Sequence, residues 1–125
     1  MRDHPLGTEL LTAFAEFNRS QVMPALPAGP LAYYARVADN VLNIARREIA
    51  LGPAADAAEI ESLRSLLGTT GDLPTLNREL CRCIADGAIR LDDTSLIRHL
   101  WRVTLDKLAI DQPTYSAYRR AVEKR

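Results

Sequence analysis

Imidazole is the side chain whose ordinary pKa lies near neutrality, so the histidines are the first place to look for chemistry. There are two, His4 in a polar N-terminal stretch and His99 inside a helical pattern. Neither has a His, Cys or carboxylate partner at metal-ligand spacing on the same face. Ser95, four residues before His99, is the nearest hydroxyl on its side of a helix. A catalytic use of His99 is the sharper reading; a structural histidine, half-buried near Trp101, is the ordinary one and is adopted. No HExxH, CxxC or ExxH pattern occurs, so no metal is expected. Cys81 and Cys83 lie two apart on a predicted helix, about 200° around its axis. They cannot pair or share a metal there, and read as two buried thiols in a reducing cytoplasm.

Phosphate cradles are also missing. The glycines are isolated and mostly stand where helices are expected to end, which suits C-caps. Thr69–Thr70–Gly71–Asp72 precedes a helix start, but an Asp at the cap repels an anion, so it reads as a plain turn. Neither a catalytic residue nor a cofactor site is expected.

What remains is polarity in excess of structural need. Arg36, Asn40 and Arg47 recur on one side of a predicted helix, with Asn43 and Arg46 on an adjacent side. Asn is unfavourable in a helix interior unless its amide has a partner. These residues form either a satisfied or solvated flank, or a ridge offered to a partner or ligand. Asn77 and Arg78 of the Asn77–Arg78–Glu79 run, and Lys107, are open to the same two readings; salt bridging and the negative end of a helix are the ordinary explanations.

The elements that would position these side chains are all helical. The first helix is expected from Gly7 or Thr8 to Val22, with a stripe of Leu10, Leu11, Phe14, Phe17 and Val22, stopped by Pro24 and Pro27. Gly29 and Pro30 start a second, whose buried side is Tyr34, Val37, Val41, Ile44 and Leu51. Gly52 and Pro53 are expected to end it and to start a third, carrying Ile60, Leu63, Leu66 and Leu67, across a tight corner or antiparallel hairpin. Asp72 caps a fourth, with Leu73, Leu76, Leu80 and Ile84 on one face. The fifth runs from Thr94 or Ser95 to Ile110 and buries Ile97, Leu100, Trp101, Leu105 and Leu108. Beyond Pro113 a short last helix holds Tyr115, Tyr118 and Val122. No segment alternates with period two. The expected fold is all-α, a compact bundle of five main helices plus a short C-terminal one, in a single domain over residues 1–125.

Composition excludes several classes of function. The chain has 125 residues, 47% hydrophobic and 26% charged, an ordinary globular composition for one domain. Sixteen basic residues balance sixteen acidic ones, and no basic stripe with interleaved aromatics appears, so neither nucleic acid nor an anionic membrane is an expected partner. The start, MRDHPLGTE, lacks the apolar core of a signal peptide, and no apolar run approaches the roughly 20 residues that span a bilayer. A cytoplasmic location is the expectation.

Three groups of residues carry a resemblance. They are Ala35–Arg36–Val37–Ala38 with Asn40–Val41–Leu42, Arg47–Glu48 and Leu51–Gly52–Pro53; Leu76–Asn77–Arg78–Glu79–Leu80 with Ile84 and Gly87; and Asp106–Lys107–Leu108–Ala109–Ile110 with Pro113 and Tyr115. With Pro5 and Glu9–Leu10–Leu11 they resemble a bacterial family of small all-helical proteins classed as a domain of unknown function. Gln112 before Pro113 departs from the family pattern, where an Asn is expected. Genes of that family often sit beside an aminoglycoside-phosphotransferase-like kinase and acyl-CoA dehydrogenases, and one relative is the small partner of the kinase that phosphorylates 4-hydroxyacyl-CoA in levulinate catabolism. The resemblance implies a non-catalytic accessory subunit whose partner kinase holds the ATP site. Arg36, Asn40, Arg47, Asn77, Arg78 and Lys107 would then be the candidates for contact with the kinase or with a CoA phosphate. The competing expectation is a self-associating structural protein in which a spare apolar stripe closes a homodimer.

Overall fold

The computed structural model describes residues 5–124, and His4 lies outside them. Among the described residues the secondary structure is helical throughout, with no strand, as the sequence led us to expect. The helices are α1 (Gly7–Phe17), α2 (Pro30–Leu67), α3 (Leu73–Ala85), α4 (Thr94–Asp111) and α5 (Ser116–Glu123). α1 runs on into a π-helical stretch, Asn18–Val22, and a short turn of helix, Met23–Ala25. Pro24 therefore does not stop the first helix. It sits inside that last short piece, one residue before the helical run ends at Ala25.

The largest departure from expectation is at Gly52 and Pro53. In place of two helices and a corner there is one helix of 38 residues with Pro53 inside it. Pro53 cannot donate to the carbonyl of Ile49, and a proline there ordinarily breaks or kinks a helix. Here Ala50, Ala54, Ala55, Ala57 and Ala58 surround it, and alanine is the strongest helix former. Gly52 accordingly is not a C-cap. Gly68 and Gly87 are, with φ of +66° and +73°, the left-handed region that a side chain disfavours.

The chain divides into two compact units, between Leu51 and Gly52. In the first, α1 and the first part of α2 are antiparallel, since Thr12 meets Arg46 while Asn18 and Arg19 meet Asp39. Its buried residues are Ala15 and Asn43, so it has almost no apolar interior. The expected buried side of α2 is in fact exposed at Tyr34 (65%), Val37 (44%), Val41 (59%) and Leu51 (43%). Phe14 and Phe17 of the α1 stripe are likewise more than half exposed. The side of α2 turned toward α1 is the small and polar one, with Ala32, Ala35, Asp39, Asn43 and Arg46 all half-buried or buried.

The second unit has a conventional core. Leu63, Leu76, Leu80 and Leu96 form a buried cluster, with Ile60, Leu66, Leu67, Leu73, Ile84 and Ile89 packed against it. Leu76 and Leu80 are one turn apart on α3, so a single stripe serves both. The helices start on well-made caps. Asp72 accepts from the Thr75 amide at 2.9 Å, and Asp93 from the amides of Ser95 and Leu96 at 2.8 and 2.9 Å. On α4 the expected burial holds for Leu105 but not for Ile97, Leu100 or Trp101, which are 52%, 46% and 56% exposed. Tyr115 and Val122 are exposed as well. The thiols also differ from expectation: Cys81 is exposed and Cys83 half-buried, and both are free.

Candidate functional site

Helical spacing puts Arg98, His99 and Arg102 on adjoining faces of α4, and Glu61, Ser62 and Ser65 on one side of α2. In the second unit these two sides meet. They form a groove of about 610 Å³ with Leu66, Ser95 and the capping Asp93, so that all but one of its lining residues are polar. Its organising contact is between His99 Nδ1 and Ser62 Oγ, 3.0 Å apart. Arg102 donates an Nη hydrogen to the carbonyl of Ala58 and so fastens α4 to α2 a turn further along.

His99 is 3% exposed, deeper than the half-buried residue expected. Burial holds its pKa below the ordinary 6.5; the charge of Glu59 opposes the shift and that of Arg102 adds to it. His99 is therefore neutral at pH 7, with its Nδ1 able to take the Ser62 hydroxyl proton as a hydrogen bond. A hydroxyl and an imidazole so placed are two parts of a nucleophile–base pair. The third part, a group orienting the imidazole from its other nitrogen, is not among the hydrogen bonds of the described residues. The pair works as a polar clamp between α2 and α4.

The linkage sign follows from the lowered pKa. Below pH 6.5 the unfolded chain binds a proton at His99 that the folded chain refuses. Stability is thus complete above that pH and falls as pH drops toward the folded-state pKa, by at most about 1.4 kcal/mol per pH unit for one proton. The expected result for His99→Gln is a loss of about 1–2 kcal/mol at pH 7.5 and a flatter stability profile below pH 6.5. Urea titrations of both proteins from pH 7.5 to pH 5 check this; parallel profiles would mean that His99 does not carry the dependence.

The first unit holds a second polar cluster. Asp39 accepts from Asn18 Nδ2 at 3.2 Å, from Arg19 Nη2 at 3.4 Å and from Asn43 Nδ2 at 3.2 Å. Asn43 also donates to the Asp39 carbonyl at 2.7 Å, and Arg46 reaches Thr12 Oγ1 at 3.2 Å. Asn18 and Arg19 are successive residues at the start of the π-helical stretch, and both reach the same carboxylate.

The six residues singled out for partner contact fall in different places. Arg36 and Asn40 are exposed on α2 and Arg47 is half-buried there, all in the first unit. Asn77 donates to Glu59 Oε1 at 2.8 Å and to the Leu73 carbonyl at 3.2 Å, so its amide is satisfied within the fold by hydrogen bonds rather than by the surface salt bridging expected of its run. Arg78 is exposed and donates to Thr75 Oγ1 at 3.0 Å. Lys107 is exposed a turn before the end of α4 rather than in its last turn. Ser62 and Asp39, which organise the two clusters, were not singled out by sequence spacing. Ser62's partner His99 lies 37 residues away, and Asp39's partners on the π-helical extension of α1 lie 20 and 21 residues away, beyond any local pattern.

Among the described residues, no group of three or more His, Cys, Asp or Glu is placed to hold a metal. No helix among those residues is long and apolar enough to cross a membrane.

Fold and clusters thus describe an all-α protein whose polar side chains chiefly clamp its own helices. The family described as Domain of unknown function (DUF6285) matches residues 24–115, most of the chain, and the protein belongs to that family. No curated protein matches the chain, and no solved structure does.

Proposed function

We propose that this chain is a helical accessory subunit that docks on a phosphotransferase-like kinase acting on hydroxyacyl-CoA substrates. The kinase and its substrate class come from the resemblance set out above. The observation that supports docking is the row Ile97, Leu100 and Trp101 on α4, each about half exposed. These side chains stand at helical spacing, with Thr104 continuing the row and Arg98 and Lys107 at its edges. A contiguous apolar row rimmed by polar residues is the usual form of a binding surface, and tryptophan is among the residues that dominate interface energies. Lys107 remains a candidate for the rim, and Arg78 for a CoA phosphate.

The test is co-purification with an aminoglycoside-phosphotransferase-like kinase from the same genome, followed by an assay of its turnover of a hydroxyacyl-CoA. Binding is expected with the native chain, and a loss of about 100-fold or more in affinity with Trp101→Glu. Failure of the native pair to bind, together with unchanged kinase activity on mixing, would sink the reading. A second reading, a stand-alone enzyme, is favoured only by the Ser62–His99 pair. It requires an activity of the isolated chain that Ser62→Ala abolishes.

A further inference from the structure

The first unit carries an apolar surface that the proposed docking row on α4 does not use. Leu10, Phe14 and Phe17 on α1, and Leu31, Tyr34, Val37 and Val41 on α2, are 44–65% exposed. At 100° per residue, each row lies roughly 140° from the side its helix turns toward the other. Because the two helices are antiparallel, equal offsets fall on the same side of the pair. Both rows therefore point outward and lean to the same side of the two-helix layer, while Arg36, Asn40 and Arg47 lean to the other.

We infer that a second copy of this chain covers the apolar side, so that two such layers stack face to face as a four-helix arrangement. Three observations choose this occupant. The seven side chains expose on the order of 700 Å², close to the ~800 Å² that each partner contributes to a stable interface. Residues 5–51 carry four basic and four acidic side chains, so two copies approach without net repulsion. Of the unit's described residues only Ala15 and Asn43 are fully buried, a small interior that favours a cover present whenever the chain is folded. A second copy meets that requirement at the chain's own concentration, through a self-complementary two-fold contact.

The experiment needs no kinase, so its outcome is separate from that of the docking reading. Light scattering of the full chain over a range of concentrations is expected to give about twice the 13.9 kDa of one copy. Phe14→Glu combined with Val41→Glu is expected to weaken self-association by on the order of 100-fold or more, whereas Trp101→Glu leaves it unchanged. On the unsubstituted protein, NMR of a mixture of labelled and unlabelled copies is expected to show contacts between copies at Phe14, Tyr34 and Val41. That measurement decides the matter if the double substitution prevents folding. A monomer at every concentration overturns the inference, as does a dimer whose contacts between copies lie on α4.

Discussion

Leu63→Ala is expected to lower the stability of the second unit by about 3–5 kcal/mol, the largest effect of any single truncation in the chain. Leu63 is wholly inaccessible and lies among Leu76, Leu80 and Leu96, contributed by α3 and α4. Truncation removes three carbons from the point where three helices meet, and a cluster drawn from three helices cannot collapse into the space without moving one. The loss is a large share of the roughly 5–15 kcal/mol that holds a domain of this size. Thermal and urea unfolding followed by circular dichroism would measure it, with a fall in Tm of roughly 12–30 °C. Leu63→Met keeps the volume and is expected to cost less than about 1.5 kcal/mol. Equal losses for the two substitutions would mean that the site is not the packed centre described here.

Asp39→Ala is expected to cost about 2–3 kcal/mol, confined to the first unit. The carboxylate is the meeting point of Asn18, Arg19 and Asn43, and its side chain is only 14% exposed. Arg19 is itself 62% exposed, so that ion pair contributes little. Most of the cost comes from leaving Asn43, a buried amide, and Asn18 short of an acceptor. A double-mutant cycle with Asn18→Ala is expected to give a coupling of about 1 kcal/mol. Hydrogen exchange is expected to speed up in Gly7–Phe17 and to stay unchanged in α3 and α4. Additive effects in the cycle would show that Asn18 and Asp39 do not act together.

The all-α class and the places where most helices begin were legible because caps and apolar periodicity are local signals. Asp72 as a cap, and Leu76 with Leu80 as one buried face, did in the structure what their spacing foretold. Gly52–Pro53 was misread because the same dipeptide suits both a helix end and a new first turn. The alanines around it decided the outcome, through a preference summed over several residues rather than a single punctuation mark.

Burial was legible only in part. Periodicity reveals which side chains share a face, but not whether anything covers that face. Tyr34, Val41, Leu100 and Trp101 formed rows as expected and are nonetheless exposed. The face of α2 that packs on α1 is instead built around Asp39 and Asn43, which an apolar template passes over. Ser62 and His99 illustrate the same limit for the candidate site. The histidine was visible as a residue type, while its hydroxyl partner is a product of the fold.

The unbroken run from Pro30 to Leu67 has a further consequence, for cooperativity. A helix of this length normally melts as one block, carrying damage at one end to the other. At Pro53 one rung of the hydrogen-bond ladder is absent, within two residues of the boundary between the compact units. Fraying that starts on either side meets a natural stop there. A lesion at Asp39 and one at Leu63 are then contained in their own halves, although both residues belong to the same helix.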